Sequence, residues 1–270
     1  MFGRKIELKI EDANKKTKLF SSEDGFTIEF SVGFGSKAVT TIKIYNVLPA
    51  TVEMCKPVGK TYAKVELSAG YEEMTKLTIA NILSVEEKQS GTDRILEIKA
   101  GEGQKFLQNT YVISTFTNVT VSQILKIIFK SNGITEYEIN LTDDARVSTI
   151  SFSGTLQTAL NELCKVAKAV LTFRNGKLFF ESNNCFGKRD ESIILISRTS
   201  GLIESPEVKG NLIKAKSLLN GNLTVGTIFK LQYYTLSQGN VSVDCKIERG
   251  KHFGGNKVES FYTEMECKKI

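Results

Sequence analysis

Phe26-Thr27-Ile28-Glu29-Phe30-Ser31-Val32, followed by Ile42-Lys43-Ile44-Tyr45-Asn46, places an apolar side chain at every second position. Successive side chains of an extended chain point to opposite faces, so this spacing buries one face of a strand and wets the other. The same period runs outward from these residues. Upstream, across the Glu23-Asp24-Gly25 turn, Ile6, Leu8 and Ile10 alternate with Lys5, Glu7 and Lys9. Downstream come Val65 and Leu67, Leu77 and Ile79, then Ile95 and Ile98, with turns expected at Ser68-Ala69-Gly70 and Gln89-Ser90-Gly91-Thr92-Asp93. Short strands with regular turn signals predict an antiparallel barrel or sandwich over residues 1–107.

Near residue 108 the period changes. Val121, Ile124, Leu125 and Ile128 fall on one helical face, with Thr120 as N-cap and Asn132-Gly133 as the stop. Leu156, Ala159, Leu160, Leu163 and Ala167 form a second stripe, starting near Ser153 or Thr155. Asn175-Gly176 then separates two apolar runs, and a two-residue type I′ turn needs positive φ at both positions. Residues 108–196 therefore read as a small α+β domain of two helices and a hairpin.

Residues 197–270 return to β: Ile213–Leu219, Thr227–Tyr233, Val241–Ile247 and Phe261–Cys267. They echo the beginning of the chain. Ile42-Lys43-Ile44-Tyr45-Asn46 parallels Lys216-Ser217-Leu218-Leu219-Asn220, and Tyr62–Leu67 parallels Thr227–Leu231. In each copy a strand follows, then a polar glycine-containing turn (Lys88–Asp93 and Gly250–Lys257), then a final strand. The fold class is thus α+β, mainly β, with two antiparallel β modules flanking the α+β domain.

Chemistry-bearing clusters are scarce. The five cysteines are widely spaced, with no C-x-x-C pair, and read as apolar fillers or free thiols. His252 is the sole histidine, in Arg249-Gly250-Lys251-His252-Phe253-Gly254-Gly255, which reads as a loop. An imidazole metal site needs more, so no metal and no cofactor is expected. A hydrolytic site would have to combine His252 with Asp244 or Glu248, and the chain reads as a non-enzyme. The adjacent carboxylates Glu72-Glu73, Glu86-Glu87 and Asp143-Asp144 would point to opposite faces of a strand and read as turn or solvent-face charge, with Asp143-Asp144 resembling a turn. Gly33-Phe34-Gly35-Ser36 leads into a strand, not the helix a phosphate loop requires.

The net charge of +6 is dispersed, without a like-charge block for nucleic-acid sequence recognition. The alternative reading is an OB-like single-stranded nucleic-acid-binding barrel. Against it, Phe26, Phe30, Phe173 and Phe229 occupy core-facing positions among aliphatics. No apolar run reaches the ~20 residues of a membrane span. The start of the sequence lacks a signal-peptide block, which predicts folding in a cytoplasm. Phe34, His252 and Phe253, apolar or aromatic groups beside glycines, are the candidate partner-binding residues.

The order of these motifs resembles the phage tail baseplate hub family, which includes late control protein D and the hub part of type VI secretion spikes. Three passages carry the likeness: Phe26–Val32 with Ile42–Val47 and Val65–Tyr71; Thr155–Leu163 before Asn175-Gly176; and Ser217–Asn220, Leu223–Gly226, Gly239–Val243, Lys251–Gly255 and Phe261–Thr263. The resemblance implies tube-like β domains at 1–107 and 197–270, and a virion structural subunit made in the host cytoplasm and built into the tail baseplate. It further implies a homotrimer of pseudo-sixfold symmetry, with the tail tube protein, the central spike protein and other baseplate proteins as partners. The chain is shorter than the larger hubs of contractile tails.

Overall fold

The computed structural model describes residues 3–35, 39–59, 61–183, 193–237 and 239–270 of the 270. The chain separates into two compact units, Met1–Glu102 with Arg189–Ile270, and Gly103–Lys188.

The first segment contains β1 (Lys5–Glu11), β2 (Thr17–Ser21), β3 (Ile28–Phe34), β4 (Thr40–Tyr45), the short helix α1 (Pro49–Met54), β5 (Lys64–Gly70), β6 (Met74–Ser90) and β7 (Asp93–Gly101). Its strands lie in the order β2-β1-β5-β6-β7-β4-β3, all neighbours antiparallel. The alternation does what its period requires. Ile6, Leu8, Ile10, Ile28, Ile42, Ile44, Val65, Leu67 and Ile98 are fully buried in one core, and the lysines and glutamates between them face water. The turn expected at Ser68-Ala69-Gly70 lies instead inside β5, and the chain reverses over residues 71–73. A Cβ on Gly70 would overlap the Glu73 carbonyl, so this glycine serves close approach within the strand end.

The second unit contains α2 (Gln104–Asn109), β8 (Tyr111–Thr120), α3 (Val121–Ser131), β9 (Tyr137–Asn140), β10 (Arg146–Thr155), α4 (Leu156–Val166), β11 (Ala169–Arg174) and β12 (Lys177–Ser182). Thr120 caps α3 in a capping box with Gln123, and Thr155 caps α4. Asp144 adds to the first cap, accepting from the backbone and hydroxyl of Ser122 at 2.9 and 2.6 Å. Asn175 and Gly176 both take positive φ, at 51° and 78°, and close the β11–β12 hairpin. The β8–β10 pair was not legible in the sequence, because its Thr- and Ser-rich faces lack a full apolar alternation.

The last segment contains β13 (Ile194–Ile196), β14 (Glu207–Lys209), β15 (Leu212–Leu218), β16 (Ile228–Thr235), β17 (Gly239–Gly255) and β18 (Phe261–Lys269). It keeps its own core around Ile213, Phe229, Leu231, Cys245, Ile247 and Cys267. It also joins the first segment's sheet, because β17 pairs antiparallel with β3.

Five strands of each β segment repeat one another, β3–β7 and β14–β18. The pairings β3·β4, β4·β7, β5·β6 and β6·β7 are matched by β14·β15, β15·β18, β16·β17 and β17·β18, all antiparallel. Strands β6 and β17 are both 17 residues long, and each shifts register against its following strand at the tenth residue, between Ile82 and Ser84 and between Ile247 and Arg249. The register equates Ile42 with Ala215 and Tyr45 with Leu218, one residue away from the sequence-based alignment. The outermost strands differ: β1 joins β5 antiparallel, while β13 joins β16 parallel.

Candidate assembly surface

Strand β17 joins the two segments. Its first half pairs with β16; beyond the register shift its second half lies between β18 and β3. The extra residue of a bulge reverses which side chains point inward. Val243, Cys245 and Ile247 are buried before it, whereas His252 and Gly254 are buried after it. Glycines at this seam make room for aromatic rings. A Cβ on Gly250 would overlap the Glu264 backbone carbonyl and meet the Phe34 ring at 2.5 Å, and one on Gly254 would overlap the Phe30 ring. The seam is also tied by side chains: Asn256 donates to the Phe26 carbonyl at 2.7 Å and accepts from the Ile28 amide at 2.9 Å. Tyr71 donates to the Phe261 carbonyl at 2.9 Å.

The structure brings all three candidate partner-binding residues to this seam, and corrects their setting. His252 is not in a loop. It sits inside β17, is 1 % exposed, and its Nδ1 lies 2.9 Å from Thr263 Oγ1. The turn assigned to Gly250–Lys257 begins only at residue 256. Phe34 ends β3 and packs its ring 4.8 Å from the imidazole. Phe253 points to the other face, against Tyr262 at 5.2 Å. Burial holds the His252 imidazole neutral, with its pKa pushed down to about 3.

Hydrolytic chemistry at His252 has no geometric basis. Along a strand of about 3.3 Å per residue, Asp244 lies roughly 26 Å away and Glu248 roughly 13 Å. Glu248 pairs with Lys268 at 2.8 Å. Among the described residues, no group of three or more His, Cys, Asp or Glu side chains could hold a metal ion, and no helix is long and apolar enough to cross a membrane. Cys55, Cys245 and Cys267 are buried thiols, Cys164 is half-buried, and Cys185 lies outside the described residues.

Phe34 and Phe253 also line a groove of about 820 Å³, with Arg249, Lys251, Glu264 and Glu266 among its walls. Several of its charges are paired. Arg249 reaches Glu266 at 2.7 Å and holds that carboxyl below its ordinary pKa, and Lys214 lies 3.6 Å from the same group. Lys216 sits 3.8 Å from Glu264 and 4.0 Å over the Tyr262 ring. Interleaved Lys and Glu on one sheet face suit an interface or a wetted wall, not a single anionic ligand. The aromatics named as core-facing are packed as expected: Phe30 and Phe229 are buried, and Phe26 and Phe173 lie against the cores. No stacking platform for bases forms from them.

No protein-family model matches the chain, and no curated protein matches it in sequence. Solved structures do. The 43 kDa tail protein of prophage MuSo2 from Shewanella oneidensis superposes with a TM-score of 0.65 at 10% identity, covering 97% of this chain and 96% of that one. The tail protein from Neisseria meningitidis MC58 gives 0.66 at 8% identity, covering 99% and 97%. The E. coli c3393 protein, described as a type VI secretion component with structural similarity to the T4 tail proteins gp27 and gp5, gives 0.59 at 12% identity over 91% of this chain and 73% of that one. The fold of this chain is shared with these two tail proteins and with the type VI secretion component.

Proposed function

We propose that this chain is a structural baseplate hub subunit of a phage or phage-like tail, joining the tail tube to the central spike as a trimeric ring of pseudo-sixfold symmetry. The observation that supports this most is the repeated strand order of β3–β7 and β14–β18, joined head to tail through β3·β17. A ring built from such repeats uses one kind of heterologous contact throughout. Three chains then supply six near-equivalent modules, which lets a threefold spike seat on a sixfold tube. Residues 1–102 and 189–270 act as the tube-like domains and 103–188 as the α+β domain, instead of the 108–196 expected, because α2 belongs to the second unit and β13 pairs with β16.

The near full-length likeness to two tail proteins supports the tail role, and the likeness to the c3393 protein supports the spike as a partner. Phe34 and Phe253 belong to the contact surface through the groove, while His252 holds the seam beneath it. The work of the chain is then binding, with no reaction to catalyse. Native mass measurement with tube and spike subunits tests this: three chains per particle are expected. A chain that stays monomeric and ignores both partners overturns it.

A further inference from the structure

Within the five repeated strands of each segment, two further edges lack a ladder partner among the described residues. One is the second half of β6, residues 85–90, on the side away from β7; the other is the outer side of β14, which pairs only with β15. These edges correspond, by register, to the two that meet inside the chain. Residues 85–90 of β6 match residues 250–255 of β17, and β14 matches the β3 residues Ser31–Gly33. The intrachain seam pairs His252 with Val32, and carrying it over pairs Glu87 with Val208.

We infer that the edge of β6 at Val85–Ser90 pairs antiparallel with β14 of a second copy of this chain, with Glu87 opposite Val208. The inference rests on the ring proposed above and names the strands that close it.

Three features of the edges fit. Charge is the first: the carried-over register sets Glu86 opposite Lys209 and Lys88 opposite Glu207. Opposite charges directly across a ladder are favourable, and like charges are not. Within β6 and β7, Glu86 already faces Glu97, with Lys88 bridging them at 3.2 and 2.9 Å. Lys209 would add a second cation to that row.

Size is the second. In the intrachain seam Gly250 meets Phe34 and Gly254 meets Phe30, small against large. In the carried-over register Val85 meets Gly210 and Gln89 meets Pro206, large against small. Each edge has the opposite choice from its counterpart, so the total volume is again complementary.

Exposure is the third. Val208 is 46% exposed, and Glu86, Glu87 and Lys88 are all exposed on a long strand that extends past its core. Unpaired edges of this kind invite association, and native chains restrict it with charge and proline. Pro206 lacks an N–H at the place of Phe30, so the ladder ends there and stays short.

A cysteine pair tests the register. Glu86 and Lys209 form a non-hydrogen-bonded pair in this arrangement, with Cα atoms about 4.5 Å apart, within disulfide reach. The doubly substituted chain, Glu86→Cys with Lys209→Cys, is oxidised at high protein concentration and run without reductant. Covalent species ending at three chains are expected. A mixture of the two single variants should give covalent dimers only, and Glu86→Cys alone should give none. A chain that is trimeric by mass yet gives no cross-link overturns this pairing and leaves the ring intact. Cross-linking of Glu86→Cys to itself also overturns it, because that contact is isologous. A chain that is monomeric and uncrosslinked overturns both the pairing and the ring.

Discussion

Nδ1 of His252 and Oγ1 of Thr263 lie 2.9 Å apart, at 1% and 0% exposure, on the neighbouring strands β17 and β18. Thr263 Oγ1 also accepts from the Asn220 amide at 3.2 Å, so the hydroxyl joins β18 to the turn after β15. An imidazole with no buried anion beside it resists protonation, and its folded pKa of about 3 lies below the 6.5 of an exposed histidine.

That difference makes the fold acid-sensitive. The unfolded chain binds the proton first, so His252 stabilises the fold fully above pH 6.5 and progressively less as pH falls toward 3. The complete loss is about 4 to 5 kcal/mol. Denaturant titrations over pH 3–7 should show this slope in a Glu102→Gln background and a flatter one when His252→Leu is added. Equal slopes in the two backgrounds contradict the assignment.

Glu102 acts in the opposite direction. Burial lifts its carboxyl to about 7, against 4.5 ordinarily, although Thr78 donates to it at 2.7 Å. Here the folded state holds the proton more tightly, so the contribution is greatest below pH 4.5 and is lost as pH rises through 7. Its full size is about 3 kcal/mol. Between pH 4.5 and 6.5 it offsets His252, which is why each must be measured with the other removed. Glu102→Gln should raise stability at pH 8; a loss there counts against the assignment.

The glycines of the seam are predicted to be intolerant. Gly250→Ala places a methyl against the Glu264 backbone carbonyl as well as the Phe34 ring, and Gly254→Ala places one into the Phe30 ring; overpacking of this kind costs roughly 1–3 kcal/mol. Pairing Gly254→Ala with Phe30→Leu should recover part of the loss. Thermal unfolding of the single and double variants gives the comparison, and additive losses would mean that the ring is not the obstacle.

In the second unit, Arg174 and Glu181 form a buried ion pair, and the guanidinium lies 3.8 Å over the Phe179 ring. Removing one charge leaves the other buried, so Glu181→Leu should cost about 3–5 kcal/mol. Arg174→Met with Glu181→Leu should restore most of it. A double variant as unstable as the single one would refute that balance.

The first half of the fold was legible because its strands keep one phase: Ile42 and Ile44, or Ile6, Leu8 and Ile10, alternate without interruption. The helices were legible through their caps at Thr120 and Thr155. The long strands were not. The extra residue in β17 moves the inward side from odd to even numbers between Ile247 and Gly250, so His252 and its glycines look like a loop. The edges of β6 and β14 were hidden for another reason. Their significance lies in the register between two distant segments, and Glu207, Val208 and Lys209 are three exposed residues with no local signature.

End-on cryo-EM of the chain assembled with its tube subunit tests the central claim most directly. The expected image is a closed ring of three chains showing six near-equivalent β modules around one channel. A twofold particle, or a ring in which residues 1–102 and 193–270 contribute unlike sheets to the wall, would contradict it.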